Sequence, residues 1–342
     1  MTARVARWRG MLAALLAIAA GSGAAHAQTK TGTTIGQVLL IEPSARIAGM
    51  GNAGVSFADG LDAVYYNPAA AGQVTSWAFT FTHSAWLAGV GYDYAAGAAP
   101  LFGWGTAYLS VTSLHSGDME VRTVDQPLGT GERFGVSDIA LGLGFGRQIT
   151  ERFAAGAQVT WLQETIWHTS ANTFVLNAGT VYRLSKNGLH IGSSLSNFGT
   201  QGRFSGNDLR VTFDEDPTRN GDNGALPAEQ FTDGFPVPVL FRIGVGYPFQ
   251  LGPQTRLEAA VEAFHPSDNT ESMSAGAELT YRELASVRLG YQNAFEQDSE
   301  LGLTAGGGVK GRIDTYQYQL NYAWAEHHRL GGSHRITIGV TF

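Results

Sequence analysis

The sequence predicts an all-β fold: a transmembrane antiparallel β-barrel of about fourteen strands, its lumen plugged by an N-terminal segment. Three observations predict it. An export signal opens a chain that has no cysteine, period-two alternation runs from residue 76 to the end, and the connections between alternating runs are short at one rim and longer at the other.

Residues 1–27 have the layout of a cleaved secretory signal. Arg4, Arg7 and Arg9 precede the apolar run MLAALLAIAA, and small residues then lead to Ala25-His26-Ala27. The apolar run is shorter than the roughly 20 residues a membrane helix needs. Export without cysteine excludes a disulfide scaffold, a catalytic thiol and a lipid anchor attached through cysteine. Only 15% of the 342 residues are charged, against about 25% in a typical soluble domain. The net charge of −7 argues against nucleic acid as a partner, because a phosphate backbone requires a basic surface.

Residues 28–76 do not alternate. They are rich in small residues, with Gly49, Gly51 and Gly54 close together and the turn signal Asn67-Pro68. Irregular backbone at membrane depth must have its polar groups satisfied by protein, so this segment is expected inside the barrel as a plug. Residues 77–342 are the expected barrel. In the last run Ile336, Ile338, Val340 and Phe342 occupy one face, and Arg335, Thr337, Gly339 and Thr341 the other. The same pattern places strands near 77–86, 87–98, 102–114, 135–148, 152–166, 171–183, 188–199, 239–249, 254–264, 272–282, 284–292, 300–310, 312–324 and 333–342. Most reach the ~9–11 residues a tilted strand needs to cross a bilayer. A soluble sandwich also alternates, with its apolar face inside. Two features favour lipid outside: the second face is glycine and alanine more than lysine and glutamate, and a barrel this wide is not filled by apolar side chains alone.

The stretch SARIAGMGNAGVSFADGLDAVYYNPAAAG resembles the N-terminal signature of the PorV/PorQ family, within the broader FadL-like barrels. The matching positions are Arg46, Met50, Gly51, Ala53, Asp59, Asp62, Tyr66, Asn67, Pro68 and Ala69; Ala70 and Ala71 depart from the usual Asn-Pro-Ala-Gly continuation. Weaker matches run through Ser196–Gly199, Pro236–Tyr247, Arg288–Tyr291, Leu303–Gly306 and His334–Ile336. The resemblance implies a fourteen-stranded plugged barrel in the bacterial outer membrane. It also implies a non-enzymatic accessory role in protein secretion or surface attachment of the type IX kind, with secreted cargo or secretion machinery as partners besides lipid. The alternative it leaves open is a FadL-like passive channel for hydrophobic small molecules.

Within the barrel, Arg242, Arg256, Glu258, Glu262, Glu278, Arg288 and Arg335 fall on polar strand faces. A charge facing lipid at midplane costs about 2–4 kcal/mol for Arg or Lys, so these side chains are expected in the lumen. There they are placed to pair with Arg46, Asp59 and Asp62 of the plug. The longest connection, 200–238, carries Phe204, Phe213, Phe231 and Phe235, which are expected to grip a partner or ligand or to pack inward. The carboxylates at 214–222 fit no EF-hand spacing. Glu326, His327, His328 and His334 would need a turn to share a metal, and His83 and Ser84 are adjacent in a strand and so face opposite ways. No cofactor and no catalysis are expected.

Overall fold

The computed structural model describes residues 32–57, 60–184, 188–215, 218, 224–296 and 299–342. The signal segment 1–27 and Asp59 lie outside the described residues. Fourteen strands form one closed antiparallel barrel. In chain order they are β1 (Ala78–Ala85), β2 (Gly91–Leu101), β3 (Gly105–His115), β4 (Val136–Gln148), β5 (Phe153–Ile166), β6 (Thr169–Arg183) and β7 (His190–Gly199). They continue with β8 (Leu240–Gly252), β9 (Thr255–Pro266), β10 (Ser272–Tyr281), β11 (Ala285–Ala294), β12 (Leu301–Ile313), β13 (Tyr316–His327) and β14 (Gly331–Thr341). Each strand pairs with its neighbours in sequence, and β14 returns to β1 with Val340 opposite Phe79 and Arg335 opposite Ser84. The sheet therefore has no free edge, the condition for β structure in lipid.

The two faces separate as the alternation requires. Ile336 and Ile338 are 46% and 50% exposed on the outer wall, whereas Arg335 and Thr337 are 2% and 0% exposed. Phe241, Ile243, Val245 and Tyr247 of β8 point outward, and Arg242 points in. A lipid-facing apolar belt around a polar interior is the architecture of outer-membrane barrels, and the outer membrane is where this chain resides.

Three strands begin three or four residues later than the alternation suggests. Leu87–Gly89 form a 3-10 turn with Ala88 at φ 55°, so β2 starts at Gly91. Phe102–Trp104 make the next turn, with Gly103 at φ 82°, so β3 starts at Gly105. Asp314 at φ 58° makes the β12–β13 turn, so β12 runs to Ile313 and β13 starts at Tyr316 instead of near 312. A left-handed residue breaks the extended ladder locally, as a turn here and as a register shift within β7, whatever the hydropathy on either side. The two long connections carry small hairpins of their own: Met119–Glu120 pairs with Arg133–Phe134, and Arg210–Phe213 with Leu226–Glu229.

Residues 33–57 and 60–76 fill the lumen. They contain a 3-10 turn at Gln37–Leu40, a one-turn helix α1 at Ala45–Ala48, and 3-10 turns at Leu61–Ala63 and Pro68–Gln73. Ser44 caps α1 by accepting from Ile47 N, and the Asn67 side chain caps the last turn by accepting from Ala69 N at 3.0 Å, with Pro68 at the first position. Val38, Ile47, Met50, Val55, Val64 and Tyr66 are all fully buried. The core of this protein is thus the seam between plug and wall.

Candidate functional site

The plug meets strands β8–β11 through buried ions. Arg46, on α1, grips Glu278 of β10 with two hydrogen bonds, Nη2 to Oε1 at 2.9 Å and Nε to Oε2 at 3.1 Å. Glu278 also accepts from Arg288 Nε of β11 at 2.5 Å, and Glu258 of β9 lies 3.9 Å from Arg46. Arg256, exposed beside the short β8–β9 turn and so at the rim where short turns mark the periplasmic side, pairs with Glu258 at 2.6 Å. One level toward the cell exterior, Arg242 of β8 meets Glu42 of the plug at 3.0 Å and Glu262 of β9 at 3.7 Å, while Glu262 accepts from Val55 N at 2.8 Å. The Arg242 guanidinium also lies over the rings of Tyr66 and Phe264.

Two expected ion pairs take another form. Among the described residues Asp62 makes no ion pair; it accepts from Thr80 Oγ1 at 3.1 Å and Gln319 Nε2 at 3.0 Å, which ties the plug to β1 and β13. Arg335 is buried and makes no ion pair among the described residues; its guanidinium lies 5.0 Å over the Trp86 ring.

Small residues in the motif serve close approach. Gly51 has φ 68°, donates its N–H to Thr304 Oγ1 at 2.9 Å, and a Cβ there would meet the Tyr291 and Ala275 carbonyls at 2.6 and 2.7 Å. The wall reciprocates: a side chain on Gly276 would strike the Met50 carbonyl, and one on Gly179 the Asn67 Oδ1. Gly49 and Gly54 pack against Gly306 and the Tyr66 ring respectively. The Asn67 amide donates to Val55 O at 2.8 Å and Thr180 O at 3.0 Å, joining two plug segments to β6.

On the side of β3–β7 the seam has a different chemistry. Gln158 of β5 donates to Ser110 Oγ of β3 at 2.9 Å and accepts from Asn177 Nδ2 of β6 at 2.9 Å. Asn177 Oδ1 accepts from Asn197 N of β7 at 2.7 Å, where the β6–β7 ladder shifts register and Asn197 has φ 62°. These amides, with Thr160, Tyr65 and Arg242, line a cavity of about 30 Å3.

At the outer mouth the plug begins as an arm. Ile35, Val38 and Leu39 are buried in one apolar cluster with Leu162, Ala171, Val175 and Val237, and Phe204 and Phe235 pack against it from the long connection. Polar tethers hold the arm: Ile35 N to Pro236 O at 3.0 Å, Gly36 N to Glu164 Oε1 at 2.6 Å, and Thr34 and Gln37 to Asp268, each at 3.1 Å. Phe213 and Phe231 do not join this cluster and are 53% and 75% exposed. Glu42, Glu164 and Asp268 are partners that sequence reasoning did not single out. Glu164 shares the inward face of β5 with Gln158 and Thr160, a signal that was present, whereas Glu42 and Asp268 lie outside any periodic run. His327 turns in toward Ser333 while His334 turns out toward Tyr322, so that histidine group does not converge; among the described residues no such group is placed to hold a metal.

No protein-family model matches the chain, and no curated protein matches it. Solved structures do. The Pseudomonas putida toluene transporter TodX is 13% identical with a TM-score of 0.54, over 88% of this chain and 98% of TodX. The Ralstonia pickettii toluene transporter TbuX is 13% identical at TM-score 0.50, covering 88% of this chain and 97% of TbuX. A Pseudomonas aeruginosa FadL homologue is 10% identical at 0.51, covering 88% and 98%. At such identities the likeness shows the fold, and the fold is that of the FadL-like barrels.

Proposed function

We propose that this chain is a passive outer-membrane channel for small hydrophobic compounds. The observation that carries the reading is the apolar nest at the outer mouth, which the chain fills with its own arm. Ile35, Val38 and Leu39 bury there against Val237, Phe204 and Phe235, so a guest of similar apolar surface competes with the arm nearly residue for residue. Five short polar tethers hold the arm, the fifth from the Tyr65 hydroxyl to Leu39 O, and none of them is an ion pair of the kind that holds Arg46 and Glu42. The toluene transporters and FadL homologue of the same fold support a hydrophobic permeant.

Passage requires the arm to yield, and locking it tests this. A Cβ added at Gly36 lies 2.9 Å from Val237 Cγ1, so Gly36→Cys with Val237→Cys, in a chain free of cysteine, places two thiols together. Whole-cell toluene uptake should depend on the gene, fall on oxidation of the double variant and return on reduction. Uptake equal in a deletion strain would refute the channel.

A second reading, an accessory in protein secretion, rests on the N-terminal PorV/PorQ resemblance. One surface favours it: Val211, Phe213 and Leu226 are exposed on the 210–213/226–229 hairpin, with Phe231 just beyond. A changed secreted proteome in the deletion strain, with unchanged toluene uptake, would select it.

A further inference from the structure

The small cavity behind β3–β7 has an uneven hydrogen-bond inventory. The amides lining it largely satisfy one another: Asn177 Nδ2 serves Gln158 Oε1, Gln158 Nε2 serves Ser110 Oγ, and Asn177 Oδ1 takes the Asn197 N–H. Tyr65 spends its hydroxyl proton on Leu39 O at 2.7 Å. Among the described residues, two buried donors of lining residues are left without a hydrogen-bond partner: Asn197 Nδ2, and Arg242 Nη1, whose nearest carboxylate oxygen, Glu262 Oε1, stands 3.7 Å away. Asn197 is 4% exposed and Arg242 2%. Hydroxyl-bearing Tyr94, Thr112, Thr160 and Ser196 and apolar Ala140 also line the cavity, and no carboxylate is among the lining residues. Buried donors left unmade are costly, so the complement of this cavity is an acceptor.

The charge around it selects further. Arg242 already faces Glu42 at 3.0 Å and Glu262 at 3.7 Å, so its positive charge is spoken for. An anion would be repelled by those two carboxylates as much as it is drawn to the guanidinium. A neutral acceptor meets no such opposition. Volume gives the size: about 30 Å3 admits one or two water-sized groups, each needing roughly 10–15 Å3. Leu39 and Leu240 also line the cavity, and Leu39 belongs to the apolar nest under the long connection. A molecule whose body displaces the arm thereby brings one polar end to the cavity.

We propose that the cavity is a selectivity subsite for the uncharged oxygen of the permeant, and that the preferred class is small apolar compounds bearing one neutral carbonyl or hydroxyl. This rests on the channel reading above, since without passage there is nothing to select. Toluene, benzaldehyde and benzoate separate the terms at nearly constant size: no acceptor, a neutral acceptor, and an anion.

The test is ligand-observed NMR titration of the purified, folded protein with each compound, beside whole-cell uptake. Benzaldehyde should bind about tenfold more tightly than toluene or benzoate, the ratio expected for one net hydrogen bond. Asn197→Gly, which keeps the left-handed backbone, and Thr160→Val, which keeps the shape, should each shrink that preference severalfold and leave toluene affinity unchanged. Heat-modifiable gel migration checks that each barrel is folded, and either folded variant suffices. Toluene binding as tightly as benzaldehyde, or both folded variants retaining the full preference, would overturn the subsite while the channel stands. Gene-independent uptake of all three compounds would overturn the channel reading and the subsite with it.

Discussion

The two halves of the plug–wall seam solve the same problem with opposite chemistry. Against β8–β11 the contact is ionic: Arg46, Arg242, Arg256 and Arg288 interleave with Glu42, Glu258, Glu262 and Glu278. Against β3–β7 it is mostly neutral: Asn67 reaches Thr180 O and Thr106 Oγ1 reaches Val74 O, over a wall whose Ser110, Gln158, Asn177 and Asn197 bond to one another from strand to strand, with one charged partner, Glu164, accepting from Gly36 N. A buried ion deprived of its partner is far more costly than a buried amide deprived of its own, so the ionic half tolerates one register and resists sliding. The neutral half can exchange one acceptor for another at little cost. The ionic half is therefore the more strictly registered side, and the cavity, the shifted β6–β7 ladder and the apolar nest lie on or beside the other.

The largest expected effect comes from the carboxylate that serves two arginines. Glu278→Ala leaves Arg46 and Arg288 buried without their principal partner, and urea unfolding in lipid should show a loss of about 3–5 kcal/mol. Single-channel recordings should show raised ion conductance as the plug loosens. Gln158→Leu, the matched change in the neutral half, should cost about 1–3 kcal/mol by stranding Ser110 and Asn177. Equal losses would abolish the distinction between the halves. Replacing the cluster together, with Arg46→Met, Glu278→Leu and Arg288→Met, should recover most of the lost stability, because a well-packed apolar set often matches a buried ionic one.

Asn67 sits where plug and wall are joined on the neutral side. Asn67→Ala removes the donor to Val55 O and Thr180 O and the cap on Ala69 N. The expected loss, about 1–3 kcal/mol, is smaller than at Glu278 because no charge is stranded. A loss exceeding that of Glu278→Ala would put the principal anchor on the wrong half.

How much of this could be read from the residues follows from where periodicity operates. The wall was legible because a strand with lipid on one side and protein on the other must alternate, and because arginine and glutamate on such a strand have only one affordable direction. Parity alone directs Arg242, Arg256, Glu258, Glu262, Glu278, Arg288 and Arg335 to the inner face; six of the seven are buried, while Arg256 is exposed beside Glu258. Which of them would meet Arg46 was not legible. The plug has no period, and its docking depth is a tertiary outcome of close glycine contacts such as Gly51 on Tyr291 and Ala275. Asp62 shows the consequence: its expected cation is replaced by Thr80 and Gln319, neutral groups that happen to stand at its level. The long connection fails for the same reason. Phe204 and Phe235 turn inward while Phe213 and Phe231 do not, and no spacing in the sequence separates the pairs.

The smallest effects test whether glycine on the wall is there for the plug. Gly179 faces the lumen, and a methyl group there would strike Asn67 Oδ1, so Gly179→Ala should cost about 1–3 kcal/mol as an overpacked contact on the neutral half. Gly97, on β2, faces away from the plug, and a Cβ there meets nothing nearer than the Ala78 carbonyl at 4.0 Å. Gly97→Ala adds a methyl group to the lipid face and restricts the unfolded chain, so its unfolding free energy should stay within about 0.5 kcal/mol of the parent or rise slightly. Both substitutions share the same strand geometry and the same added atom. If they cost the same, the price of a side chain lies in the strand itself, and the glycines of the lumen would owe nothing to the backbone they face.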